Sequence, residues 1–299
     1  MKNTLILLTF ICTGSLNVFC QQIKNNDTTI LTSDSVALYV KKAGKGTPCI
    51  FVHGGPGAWS RSFEAMGGNN LERHLTMYYF DQRGCGRSQA APNNDYSMDR
   101  MLADIESIRL LTGAEQVYIM GHSFGGILAF KYALKYPAHV RGLIMLNATL
   151  YIYNSLLSQI QFINLQLGTH FTVRDQDSLM SVFTAAKKAL NEKGLEYTML
   201  SDNKASIQKL DSIDSSPRNT AFARYAFSNR VYLQDFTRET AALQTPVLVI
   251  GGTVDHNIGP EHYKLFKFPH QQVKIIPGGH VLYYEKNKEF TAAVWNFTR

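Results

Sequence analysis

Ser123 stands at the centre of Gly121-His122-Ser123-Phe124-Gly125, directly after the apolar run 117–120. A serine hydroxyl is a weak nucleophile until a neighbouring base takes its proton and a carboxylate orients that base. The G-x-S-x-G pattern serves this chemistry by forcing a sharp strand-to-helix turn that exposes the hydroxyl above a sheet. Two further residues complete the set. Asp255 ends Gly251-Gly252-Thr253-Val254-Asp255 and His280 ends Pro277-Gly278-Gly279-His280, each just beyond an apolar run. Their order along the chain, nucleophile then acid then histidine, is the order such sheets use. The combination points to acyl transfer, with Ser123 attacking a carbonyl, His280 carrying the proton and Asp255 holding the imidazole.

The tetrahedral intermediate of that chemistry needs N–H donors aimed at its oxyanion. Phe124 supplies one as the residue after the nucleophile. Gly55 is the expected second donor, in the loop His53-Gly54-Gly55-Pro56-Gly57 after the run 49–52, where glycines let backbone approach a substrate closely. Asp81-Gln82-Arg83-Gly84-Cys85-Gly86-Arg87-Ser88 follows another apolar run, and its Asp81 and Arg83 suit ion pairs that brace loops rather than catalysis. His122 is expected to be structural and directed away from the hydroxyl. His256 adjoins Asp255, and His139, His262 and His270 read as surface or helix-end residues. No histidines fall at metal-ligand spacing with cysteines or carboxylates, and no dinucleotide fingerprint occurs, so neither metal nor cofactor is expected.

The elements that must position these residues alternate. Strands are expected at 36–41, 49–52, 77–80, 117–120, 143–146, 247–250 and 273–276. Between several of them lie helix-period segments, including Met98, Leu102, Ile105, Ile108 and Leu111, with Ser97 as N-cap. Short buried strands alternating with helices imply an α/β fold: a mainly parallel sheet with helices on both faces and functional residues at strand carboxyl ends. The stretch 150–240 breaks the rhythm, with helical patterns at 156–167, 179–190 and 221–233 and a turn at Ser215-Ser216-Pro217. It is far longer than a crossover needs and reads as a helical cap over the functional edge. The organisation is therefore a core of 21–149 and 241–299 and a cap of 150–240.

The 299 residues carry a net charge of +7 without a Lys/Arg block, which argues against nucleic-acid binding. Residues 1–20 combine a short basic start with an apolar stretch too short to span a bilayer, and read as a cleaved export signal. A lipid anchor at Cys20 fits less well because Phe19 is bulky. The expectation is an exported protein with no stable membrane insertion. Cleavage leaves Cys49 and Cys85, which form no disulfide framework; whether they bridge stays open.

These segments together resemble the α/β-hydrolase fold and, within it, the prolyl iminopeptidase family of serine aminopeptidases. His53-Gly-Gly-Pro-Gly57 and Asp81-Gln-Arg-Gly-Cys-Gly-Arg-Ser88 look like that family's most distinctive stretches, and the resemblance runs over 36–146 and from 245 to the end. It implies Ser123 as nucleophile, Asp255 as acid, His280 as base, and a covering insertion. The family typically has G-G-S-W-G where this chain has His122 and Phe124, and it reads the substrate amine with cap glutamates. The comparable segment here, 223–229, holds no acid; Glu192, Glu196, Asp202 and Asp235 stand elsewhere in the cap. The expected substrate is a short peptide losing its N-terminal residue, proline favoured. A carboxylic ester or lactone is the alternative, and a non-catalytic binding protein on the same scaffold the remote one.

Overall fold

The computed structural model describes residues 27–299, so the expected export signal lies outside the described residues. The chain builds β1 (Asp27–Leu31), β2 (Ala37–Gly44), β3 (Thr47–Val52), α1 (Ser60–Ala65), β4 (Leu75–Phe80), α2 (Met98–Thr112), β5 (Val117–His122), α3 (Gly125–Lys135) and β6 (Val140–Leu146). It continues through α4 (Ile152–Leu167), α5 (Leu179–Glu192), α6 (Lys204–Asp214) and α7 (Ala221–Ser228) before β7 (Val247–Gly252), β8 (Gln271–Ile276), α8 (Leu282–Glu285) and α9 (Asn287–Thr298).

The strands form one eight-stranded sheet in the order β1-β2-β4-β3-β5-β6-β7-β8. From β4 through β8 every pairing is parallel, and only β1 and β2 run antiparallel to their neighbours. The apolar runs are buried on both faces, and alternate residues divide between two cores. Ile50, Val52, Tyr78, Phe80, Ile119 and Leu143 pack with α2 and α3. Cys49, Phe51, Met77, Tyr79, Tyr118 and Ile144 pack on the other side with Phe63 of α1 and Phe290 and Val294 of α9. A sheet with β3, β5 and β6 at its centre places the ends of those strands, and the loops after them, side by side.

All seven expected strands are present, most of them a few residues longer. β1 was not expected: Asp27-Thr-Thr-Ile-Leu31 is an edge strand with no fully buried residue, so it carries no apolar signal. α6 was missed for a similar reason, burying only Ser206 and Ile207. The turn at 215–217 does separate α6 from α7. Ser97 occupies the N-cap position of α2, but its side chain makes no capping bond; its own amide donates to Asp95 Oδ1 at 3.0 Å. Cys49 and Cys85 are both free thiols in the interior, and burial pushes the Cys85 thiol up to about 12.

Asp81 and Arg83 hold the loops after β4. Buried Asp81 accepts from the Ser60 amide at the start of α1 and from the Arg87 guanidinium. Burial raises its pKa, but the Arg87 bonds and charge outweigh that and keep it below its ordinary value. Arg83 is fully enclosed and donates through Nε and Nη2 to Asp104 of α2, each at 2.7 Å, and through Nη1 to Asp34 at 2.8 Å. Removing the cation strands the Asp104 carboxylate, 2 % exposed, in the core. Arg83→Met is therefore expected to lower the unfolding free energy by about 3–5 kcal/mol. Chemical denaturation checks it; a change below about 1 kcal/mol would show that the ion pair contributes little.

Candidate active site

Ser123 closes the turn between β5 and α3 with φ of +55°, a left-handed conformation that side chains other than glycine rarely adopt. Two glycines make room for it. A Cβ on Gly121 would lie 2.8 Å from both the Ala129 side chain and the Gly125 carbonyl oxygen, and one on Gly125 would collide with the Val52 carbonyl. Strand and helix thus approach more closely at the turn than any side chain allows. Ser123 is buried to 6 % exposure, and its hydroxyl makes no hydrogen bond within the described residues.

Asp255 sits three residues beyond β7. Its Oδ1 accepts the amides of Asn257 at 3.0 Å and Ile258 at 3.1 Å, which fixes the carboxylate in its own loop. His280 lies four residues beyond β8, and its Nδ1 is 3.1 and 3.0 Å from the two Asp255 oxygens. That contact leaves Nε2 as the working nitrogen. Asn257 Nδ2 lies 3.3 Å from it, while Ser123 and His280 line the same cavity without a bond between them. Catalytic hydrogen bonds of this type often tighten only around bound substrate.

Gly54 and Gly55 border the same cavity. Gly54 packs so closely that a Cβ there would come within 2.8 Å of the Ser123 Cβ. Neither the Gly55 nor the Phe124 amide donates to another described residue. His53 anchors this loop from beneath: its Nδ1 meets the Gly54 carbonyl at 2.8 Å and its Nε2 accepts the Gln82 amide at 3.0 Å. Burial lowers the His53 pKa, consistent with a neutral ring.

Two histidines differ from expectation. His122, expected to be directed away from the hydroxyl, lines the Ser123 cavity, and its ring centroid is 4.7 Å from that of His280. Burial, with the His280 charge adding, drives its pKa well below the ordinary value. His262, expected at the surface, is 4 % exposed; its Nε2 accepts the Leu150 amide at 3.1 Å and burial presses its pKa to about 4. It fastens the start of the helical insert to the loop after β7. His256 stacks on Phe162 of α4, centroids 3.8 Å apart.

Two residues were not anticipated. Asn147, the first residue after β6, is buried with φ of +41°. Its Nδ2 donates to the carbonyls of Gly279 and His280, both at 3.0 Å, and its Oδ1 accepts the Gly252 amide at 2.9 Å. One side chain thereby ties together the loops bearing Asp255 and His280. An asparagine directly after a buried strand was its only signal. The second is Asp214, the last residue of α6, which lines the cavity of about 220 Å³ that holds Ser123, His280 and Gly55. Its Oδ1 accepts from Trp59 Nε1 at 2.7 Å and from the Ser62 hydroxyl, and Arg218 Nη2 lies 3.8 Å from Oδ2. The other acids of the insert, none of which the sequence marks out, lie elsewhere. Glu192 pairs with Lys188, Asp235 accepts the Thr237 amide, Glu196 lines a neighbouring cavity, and Asp202 borders neither cavity at Ser123.

A second cavity, of about 210 Å³, meets the first at Gly55, Ser123 and Asn257. Ile152, Ser155, Leu156 and Gln159 of α4 face it, at helical spacing of three and four residues. Phe183 and Lys187 of α5 face it one turn apart. Among the described residues no group of three or more side chains is placed to hold a metal ion, and no helix is long and apolar enough to cross a membrane.

Comparison with known proteins agrees with this architecture. The family described as alpha/beta hydrolase fold matches residues 47–287. The proline iminopeptidase of Thermoplasma volcanium is 37% identical over 95 residues, 31% of this chain and 32% of that protein, so the match spans about a third of that relative's length. The crystal structure of a proline iminopeptidase-related protein from Thermus thermophilus superposes with a TM-score of 0.77 at 20% identity, covering 90% of this chain and 95% of its own. An esterase from Exiguobacterium antarcticum gives 0.68 at 19% identity, covering 91% and 98%. At such identities the two structures speak to the fold alone.

Asn147→Ala would leave the Gly252 amide without its partner, whereas the Gly279 carbonyl keeps the Leu282 amide. A buried unsatisfied group costs about 1–3 kcal/mol, so a loss of about that size in unfolding free energy is expected. Urea denaturation measures it, and an unchanged midpoint would mean these bonds are readily replaced.

Proposed function

The chain belongs to the α/β-hydrolase fold family and resembles the prolyl iminopeptidases, and on that footing we propose that it is an exported serine hydrolase releasing N-terminal residues from short peptides. Asp214 is the observation that carries the peptidase reading. A free substrate amine is cationic, and placing it in a closed cavity is costly unless an anion meets it. Asp214 supplies that anion from the insert, on the wall of the cavity that also holds Ser123 and His280.

The reaction proceeds in two halves. As the Ser123 hydroxyl oxygen bonds to the carbonyl carbon, its proton passes to His280 Nε2, and Asp255 stabilises the imidazolium through Nδ1. The Gly55 and Phe124 amides take up the negative charge on the former carbonyl oxygen. His280 then gives the proton to the departing amine as the C–N bond breaks, leaving an acyl-enzyme. Water repeats the sequence, losing a proton to His280 and displacing Ser123 as the free amino acid's carboxylate forms.

A second reading, hydrolysis of a carboxylic ester or lactone by the same residues, draws support from the apolar Ile152, Leu156 and Phe183 in the second cavity. It also draws support from Arg218, which already accompanies Asp214. Esters need no ammonium partner, so the two readings separate cleanly.

Purified protein is expected to hydrolyse proline arylamides as well as aryl esters; ester turnover without amide turnover would sink the peptidase reading. Ser123→Ala is expected to lower turnover by roughly 10⁴-fold or more and to abolish fluorophosphonate labelling. Asp214→Asn is expected to raise KM for substrates with a free amine by about tenfold or more, the worth of a hydrogen bond to a charged group. N-acetylated or ester substrates should not show that rise, and an equal change on both would remove Asp214 from amine recognition.

A further inference from the structure

The second cavity contains a cation that makes no ion pair among the described residues, although it also borders a neighbouring cavity that Glu196 and Asp211 line. Most of its polar side chains are already engaged. Thr149 and Ser155 share a hydrogen bond of 2.9 Å, Gln159 Nε2 donates to the Asn257 carbonyl at 2.8 Å, and Asn257 Nδ2 faces His280. Among the cavity's polar side chains, the Ser123 hydroxyl and the Lys187 ammonium make no hydrogen bond, and Lys187 has no ion pair within the described residues. Lys187 is half-buried on α5, one turn from Phe183 and between the buried Ala186 and Leu190, so its backbone position is fixed by core packing.

An ammonium drawn partly out of water beside apolar walls is unfavourable unless an anion completes it. Burial lowers the Lys187 pKa, and the charge of Glu196 only partly opposes this. An arriving carboxylate would favour the charged form. The two cavities meet at the serine: one holds the carboxylate of Asp214 and the other the ammonium of Lys187. Their volumes are about 220 and 210 Å³, and Lys187 and Asn257 also border a third cavity of about 420 Å³.

We propose that Lys187 binds a free carboxylate of the substrate, so that the site selects dipeptides with both termini uncapped, the amine toward Asp214 and the C-terminal carboxylate toward Lys187. The dipeptide assignment rests on the aminopeptidase reading; the carboxylate subsite itself rests on Lys187 and its cavity. A site with a desolvated cation discriminates against an otherwise identical substrate lacking the anion, because that substrate leaves the charge unpaired.

The test compares kcat/KM for prolyl-alanine and prolyl-alaninamide in the full chain and in Lys187→Met and Lys187→Arg, with active sites counted by fluorophosphonate labelling. Wild type is expected to favour the free acid by about 10–100-fold. Lys187→Met should bring the ratio close to one, and Lys187→Arg should retain most of it. Equal rates for the two peptides in wild type, or a ratio that survives in Lys187→Met, would overturn the proposal. Labelling that persists in Lys187→Met shows that the variant has folded. Should wild type cleave esters and no amide, the aminopeptidase reading fails. The subsite is then read with 4-acetoxybenzoic acid, which carries its carboxylate on the leaving group, against its methyl ester. A preference for the free acid that disappears in Lys187→Met upholds the carboxylate site, and the absence of any preference removes it.

Discussion

The site depends on how closely the backbone of α3 packs against the end of β3. Gly125 leaves no space for a side chain above the Val52 carbonyl, and Gly121 leaves none beside Ala129. That proximity forces Ser123 into a left-handed conformation, which costs of order 1–3 kcal/mol and persists only where its surroundings over-determine it. Here they do. The Ser123 amide donates to the Leu146 carbonyl at 3.2 Å, and its carbonyl accepts from Gly126 at 3.0 Å and Thr149 at 3.1 Å. The end of β6 therefore clamps the turn from one side while the end of β3 confines it from the other. The direction of the hydroxyl, the orientation of the Phe124 amide and the seat of Gly54 all follow from this arrangement.

Around His280 the electrostatics are shaped by what is kept neutral. His122 packs nearby at a tilt and has its pKa pushed far down by burial, and His53 beneath the glycine loop is lowered for the same reason. Each is uncharged at pH values above its depressed pKa. A positive ring at His122 would repel an imidazolium forming at His280 and work against proton uptake from Ser123. Holding both neighbours neutral leaves the Asp255 carboxylate, in direct contact with Nδ1, as the adjacent charge that favours this step.

Much of this was legible in the sequence because the residues concerned create periodic or local signals. Buried strands announce themselves as apolar runs, and Ser123, Asp255 and His280 each follow one. β1 and α6 are mostly exposed and produce no such contrast. The distant partnerships were harder. Asn147 works through atoms 105 to 133 residues away in the chain, which no local pattern encodes. Asp214 is one carboxylate among many until the fold of the insert turns it inward. His262 reads as a loop histidine because burial is decided by α4 packing over it, not by its neighbours in sequence. The thiols at Cys49 and Cys85 likewise needed three dimensions to show that each lies alone.

The helical insert meets the core at several places, and one of these joins is a seam made by backbone. Gly86 and Asn219 exchange a pair of backbone hydrogen bonds at 2.9 Å, the Phe222 amide reaches the Gly84 carbonyl at 3.2 Å, and the Asn219 side chain reaches the Ser88 carbonyl at 3.1 Å. Each of the three core carbonyls belongs to backbone, so the seam places little demand on which side chains α5 and α6 present. Ser123, Asp255 and His280 sit on strand-end loops, whereas Asp214 and Lys187 sit on helices of the insert. Inheritance can act on the two sets separately: drift along α5 or α6 rewrites the polarity of the cavity walls while the strand ends stay as they are. A lineage carrying this seam is free to change diet without rebuilding its teeth.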